Sequence, residues 1–76
     1  MKKEYEVLQD VFDNYLDIED CESIQVQANE IIIEMKVNLL NNFEEWDVRT
    51  STDRYGNEYV DFMTCSIGGV NVEVIA

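Results

Sequence analysis

From Lys3 to about Ile18 the apolar residues Tyr5, Leu8, Val11, Phe12, Tyr15 and Leu16 recur at spacings of three and four, with Val7 and Ile18 at the edge of the set. This period predicts an amphipathic helix. Steps of about 100° gather those side chains on one broad arc of the helix. The period then shortens. Ser23 to Gln27 alternates Ile24 and Val26 with polar neighbours, and Ala28-Asn29 predicts a tight turn. A returning strand from Glu30 to Val37 sends Ile31, Ile33, Met35 and Val37 to one face, and Glu30, Ile32, Glu34 and Lys36 to the other.

Leu39-Leu40-Asn41-Asn42 reads as a connection with room for a turn of helix. A third strand, about Phe43 to Thr52, places Trp46 and Val48 inward and Glu45, Asp47, Arg49 and Asp53 outward. Arg54-Tyr55-Gly56-Asn57 carries a turn signal, Tyr59 to Ile67 is the fourth strand, and Gly68-Gly69 is a hairpin turn. Val70 to Ile75 is the fifth strand, with Val70, Val72 and Val74 on one face. The expected architecture is one α+β domain spanning residues 1–76. Its N-terminal helix packs on a small, mostly antiparallel sheet of four to five strands, connected most economically as a meander. The other sheet face would carry Glu30, Glu34, Glu45, Asp47 and Glu73, interrupted by Ile32, Ile75 and either Val60 or Phe62. A register slip of one residue would exchange the two faces.

Charge changes this picture most. The chain has 17 Asp and Glu against five Lys and Arg, with no His, for a net charge of −12. Small soluble domains usually carry roughly 2 to 8 net charges, so solubility alone is an incomplete explanation. Such charge works against compaction, excludes nucleic acid and anionic membranes as direct partners, and favours basic ones. It does not imply disorder, because 46% of the residues are hydrophobic, including aromatic ones. No apolar run approaches the ~20 residues of a membrane span. Glu4 and Glu6 follow Met1-Lys2-Lys3 where a signal segment would turn apolar. The expectation is a cytoplasmic protein with Cys21 and Cys65 as reduced thiols. Below ~70 to 80 residues a core rarely supplies more than ~3 to 5 kcal/mol. Homodimerisation through the apolar residues of the second sheet face is therefore expected.

The acids are placed as well as numerous. On the predicted helix Glu6, Asp10, Asp13, Asp17 and Asp20 fall on the arc opposite the apolar one. A charged outer face is often only the solvated side of a helix, but such faces usually set Lys or Arg three or four residues from an acid. Here acids stand at those spacings. Successive carboxylates lie roughly 4.5 to 6 Å apart along the axis at ~1.5 Å per residue, against ~3.4 Å per phosphate in a nucleic-acid strand. Glu6, Asp10, Asp13, Asp17 and Asp20, with the strand acids Glu30, Glu34, Glu45 and Asp47, form the candidate partner-binding set.

Other chemistry finds little footing. Without His the commonest acid-base group and metal ligand is missing, and pairs such as Glu44-Glu45 and Glu19-Asp20 point different ways on regular structure. Cys21 and Cys65 lack metal-ligand spacing. Asp13 to Glu22 lacks the central Gly and alternating acids of a Ca²⁺ loop, and Gly68-Gly69 lacks the phosphate-loop pattern. No catalytic residues, metal site or cofactor are expected.

The short chain, its charge of −12, its lack of His and its acidic helix with Asp10, Asp13 and Asp17 resemble the small acidic DNA mimics encoded by phages. The likeness is greatest to phage inhibitors of the bacterial nucleoid protein HU. It rests on overall character, with no shared motif and no residue transferred. It implies a non-enzymatic inhibitor, acting in the bacterial host cytoplasm, whose carboxylates occupy the Lys and Arg surface of an HU-type protein and displace DNA. Trp46, Tyr55 and Tyr59 would add apolar contacts. Alternatives are an immunity protein or antitoxin capping a basic nuclease toxin, an anti-restriction or anti-CRISPR inhibitor, and a structural or virion protein, for which the lack of repeats offers no support.

Overall fold

The computed structural model of the chain describes residues 3–39 and 44–76. Helix α1 covers Glu4–Asn14 and a 3-10 turn follows at Ile18–Asp20. The strands are β1 (Cys21–Gln27), β2 (Glu30–Met35), β3 (Asp47–Thr52), β4 (Glu58–Ile67) and β5 (Val70–Ile75). The fold is α+β, with one N-terminal helix on a mostly antiparallel sheet, as the patterning predicts. The expected connection at Leu40-Asn41-Asn42 and the strand start at Phe43 lie outside the described residues.

The meander is not what forms. The sheet order is β1-β2-β5-β4-β3, so β5 returns to the middle and pairs in parallel with β2. Burial explains the exchange. On β2 the residues Ile31, Ile33 and Met35, and on β5 the residues Val70, Val72 and Val74, give each strand a wholly apolar face, and all six are buried. Side by side, with Ile31 against Val72 and Ile33 against Val74, they form one continuous floor. The polar strand β3 has less to bury and takes an edge.

Helix α1 lies over β2 and seats Val7 and Val11, both fully buried, on this floor. Leu8, Phe12, Tyr15 and Leu16 pack around them. The helix is shorter than its pattern predicts, stopping at Asn14 instead of near Ile18. The N–H groups of Tyr15 and Leu16 both donate to the Val11 carbonyl, at 2.9 and 3.1 Å. Asp17 then turns its carboxylate onto the Glu19 N–H at 3.0 Å, capping the 3-10 turn. No basic residue occupies the last turn of α1, where a cation would favour continuation and more carboxylates oppose it.

Two irregularities set which residues face inward. At Gly68-Gly69 both residues have positive φ, 57° and 85°, the conformation that a two-residue hairpin turn requires. In β4, Arg49 pairs with Phe62 and Thr50 with Val60, leaving Asp61 as a bulge. The extra residue lets Val60 and Met63 both point into the core. Phe62, opposite Ile75, is consequently the residue that joins the uncovered face. Val37 lies past the end of β2 and is exposed.

Replacing Ile33, fully buried beneath α1, with Ala should lower unfolding free energy by about 2 to 5 kcal/mol. That is comparable to the whole stability of so small a core. Urea unfolding followed by circular dichroism should show Ile33→Ala largely unfolded, while Val37→Ala stays within about 0.5 kcal/mol of the parent.

Candidate acidic interface

Among the described residues no polar or charged side chain is buried, so the carboxylates lie at or near the surface. The sheet divides the candidate set between two opposite sides. On the helix side, Glu6, Asp10 and Asp13 follow each other along α1 at steps of four and three. Asp10 and Glu45 line one shallow depression together with Asn14, Tyr15, Ser66 and Gly68. Glu45 belongs here and not on the far face of a strand, because β3 begins only at Asp47 and Glu45 sits in the preceding turn. The Tyr15 hydroxyl donates to Glu45 Oε2, and this bond raises the phenol above its ordinary value. The Tyr15 ring meets Trp46 edge-on with centroids 5.3 Å apart, tying the carboxylate to the core.

Asp17 and Asp20 leave the helix with the early stop of α1. They line a second depression with Leu16, Met35 and Leu39, and Asp17 has its capping role as well.

On the other side, the pairings place Glu30, Glu34, Asp47 and Glu73 on the uncovered sheet face. Glu34 and Glu73 flank Ile32 and Ile75 across the β2–β5 pairing, and Phe62 extends the apolar strip. The Ser23 hydroxyl donates to Glu34 Oε2 at 3.2 Å. Arg49 approaches Asp47 at 4.0 Å with both side chains exposed, a pair of little energetic weight. The nine candidate residues therefore form two separate anionic surfaces and a corner, not one array.

Several acids serve the chain itself. Glu4 Oε1 accepts from the Asn29 N–H at 2.9 Å, pinning the start of α1 to the β1–β2 turn, and that bond lowers the Glu4 carboxyl. Asp53 Oδ1 accepts from the N–H groups of Asn57 and Tyr55 at 2.9 and 2.8 Å in the β3–β4 turn, and is lowered first by Asn57. Ser51 donates to the bulged Asp61 at 3.4 Å. The roles of Glu4 and Asp61 depend on long-range closeness or on a bulge, and neither leaves a mark in the local pattern. The Asp53 turn did have a signal, the Asp followed by Gly56-Asn57.

Trp46 is buried and unavailable as an interface residue, whereas Tyr55 and Tyr59 are exposed. Arg54 stacks over the Tyr55 ring at 5.0 Å. Cys21 and Cys65 are free, and burial pushes both thiols up, away from the reactive thiolate. Among the described residues no three Cys, Asp or Glu side chains converge to hold a metal ion, and no helix is long and apolar enough to cross a membrane. The chain matches no family model, no curated protein and no solved structure.

The turn carboxylates make a pH signature. Since folding depresses Glu4 and Asp53, their stabilising contribution is complete above the ordinary carboxylate range of roughly 4. It is lost as pH falls through their lowered values. Carboxyl NMR titration should show both to be more acidic in the folded protein than in an unfolded peptide. Asp53→Asn should weaken the parent's loss of stability on acidification, and an unchanged acid limb would contradict the assignment.

Proposed function

We propose that this protein is a non-enzymatic inhibitor that offers a DNA-like carboxylate array to a basic DNA-binding protein, occupies its DNA-binding surface and displaces the DNA. The supporting observation is charge density on an elongated body. The fold measures 42 × 23 × 20 Å and carries −12, so 42 Å divided among 12 charges is one net negative charge every 3.5 Å of its length. A single nucleic-acid strand carries one per ~3.4 Å and a duplex one per ~1.7 Å. Counted over both sides of the sheet, the net charge per length matches that of one strand. The helix side, with Glu6, Asp10, Asp13 and Glu45, presents part of it on a scaffold that is already ordered, so binding need not fold it.

The helix side is the contact face in this reading. Glu6, Asp10 and Asp13 stand in a row at roughly 6 and 4.5 Å of axial rise, and Glu45 beside them is held by Tyr15. An HU-type nucleoid protein is the target this ligand suits best, since architectural proteins of that kind bind through the DNA backbone and its deformability with little base reading. Charge and shape suffice to imitate such a ligand. Attraction of this kind speeds association and weakens with salt.

A gel-shift competition between the protein and labelled DNA for an HU-type protein tests the reading. The parent should release DNA at low salt and progressively less as salt rises. Glu6→Lys, Asp10→Lys and Asp13→Lys together change the net charge from −12 to −6 and should abolish release. The matching Gln and Asn changes should weaken it less, since they add no repulsion. The same reversal at Glu30, Glu34 and Glu73 should leave most of the competition intact. A folded helix variant that competes as well as the parent removes α1 as the contact face. A parent that releases no DNA at low salt removes the HU-type target and directs attention to nucleases and restriction enzymes.

A further inference from the structure

Strand β1 is an edge of the sheet, paired with β2 on one side only among the described residues. An edge presents a row of backbone N–H and C=O groups to any strand that can approach, and proteins usually blunt it with charge, Pro, bulges or a covering segment. Here those devices are sparse. Ser23 to Asn29 contains no charged residue and no Pro, in a chain of net −12. The bulge of β1 lies at its start, beside Glu22, and the pairing from Ser23 to Gln27 is regular.

The same strand carries uncovered apolar side chains. Ile24 and Val26 lie opposite Ile33 and Ile31, hence on the helix side, yet they remain 36% and 52% exposed. The reason is the placement of α1 over β2. Asp10 and Asn14 occupy the flank of the helix that meets Ser66, Ile67 and Gly68 of the β4–β5 hairpin. With Val7 and Val11 facing down, a 100° step puts Tyr5, Leu8 and Phe12 on the opposite flank, toward β1. Tyr5 is 65% exposed. The result is an apolar shoulder running alongside a charge-free edge.

We propose that β1 is a homodimer interface, in which two copies of the chain pair antiparallel, edge to edge, into one ten-stranded sheet. A twofold axis through Gln25 sets Ile24 opposite Val26 of the partner, the kind of apolar cross-strand pair that stabilises antiparallel sheets. It also sets Glu22 opposite Ala28 of the partner, so no two carboxylates face each other directly. The uncovered sheet face is a poorer meeting place, because Glu30, Glu34, Glu73 and Asp47 surround Ile32, Phe62 and Ile75 there and stacking would bring those acids against their own copies.

The area is modest. With 5194 Å² exposed over 76 residues, about 68 Å² per residue, the seven residues of β1 with Tyr5, Leu8 and Phe12 carry on the order of 700 Å². A standard interface buries roughly 800 Å² per partner. Edge pairing buries only part of this strip, so the dimer is a weak one that forms at high concentration. Because the axis is normal to the sheet, both α1 helices lie on the same side and their carboxylate rows share one face. The dimer itself rests on the fold alone and stands whether or not the inhibitor reading does.

Sedimentation velocity from one to several hundred micromolar tests it. The parent should shift from 8.9 kDa to twice that mass, with a dissociation constant that falls as NaCl screens the repulsion, the opposite salt trend to capture of a basic partner. Ile24→Glu with Val26→Glu should stay at 8.9 kDa across the range while keeping the parent's circular dichroism, whereas Ile32→Glu should dimerise as the parent does. If the double variant fails to fold, hydrogen exchange of the parent decides: amides of residues 22–27 should gain protection with concentration. A parent that stays monomeric at high salt, a folded double variant that still dimerises, or β1 amides indifferent to concentration would each overturn the proposal.

Discussion

The parallel contact between β2 and β5 carries the fold because it assembles the surface on which α1 buries its apolar arc. All of β3 and β4 lies between the two strands in the chain, so bringing them together closes a long loop at an entropic cost. That cost is offset by the adjacency of Ile31 with Val72 and Ile33 with Val74, under Val7 and Val11. The other placements follow from it. β1 and β4 are drawn in as hairpin neighbours of β2 and β5, and β3 is left at the outer edge with its polar residues in water.

A net charge of −12 restricts what such a small core can tolerate. Isolated ionised groups are expensive to bury, and among the described residues none is buried. A few acids are spent on geometry: Glu4 on the β1–β2 turn, Asp17 on the 3-10 turn and Asp53 on the β3–β4 turn. The rest coat a sheet with a helix on one side only, so they divide into two opposed surfaces. Any anionic partner surface this chain offers is therefore one side of the sheet at a time.

Repulsion also selects where the molecule can meet its own kind. Like-charged faces keep their distance, and a charge-free strand edge can approach, because backbone hydrogen bonds require no exchange of charge. An edge-to-edge arrangement leaves the helix-side acids facing solvent while extending them across a second copy. The inhibitor reading and the self-association proposal thus draw on different parts of one surface and do not compete for it.

Local periodicity determined much of this protein. The switch from steps of three and four to strict alternation marks α1 and the strands, and the inward sets Ile31, Ile33, Met35 and Val70, Val72, Val74 were legible because both elements repeat within a few residues. Composition likewise determined that the surface is anionic. Strand order was not legible, since a meander and the observed order present the same local alternation and differ only in which apolar faces become neighbours. The bulge that turns Val60 inward and Phe62 outward, and the stop of α1 at Asn14 that takes Asp17 and Asp20 off the helix, depend on pairing and capping. The separation of Glu6, Asp10, Asp13 and Glu45 from Glu30, Glu34 and Asp47 was equally hidden. Which side of a sheet a carboxylate occupies is decided by where the helix lands, and the helix lands where burial across the whole chain is greatest.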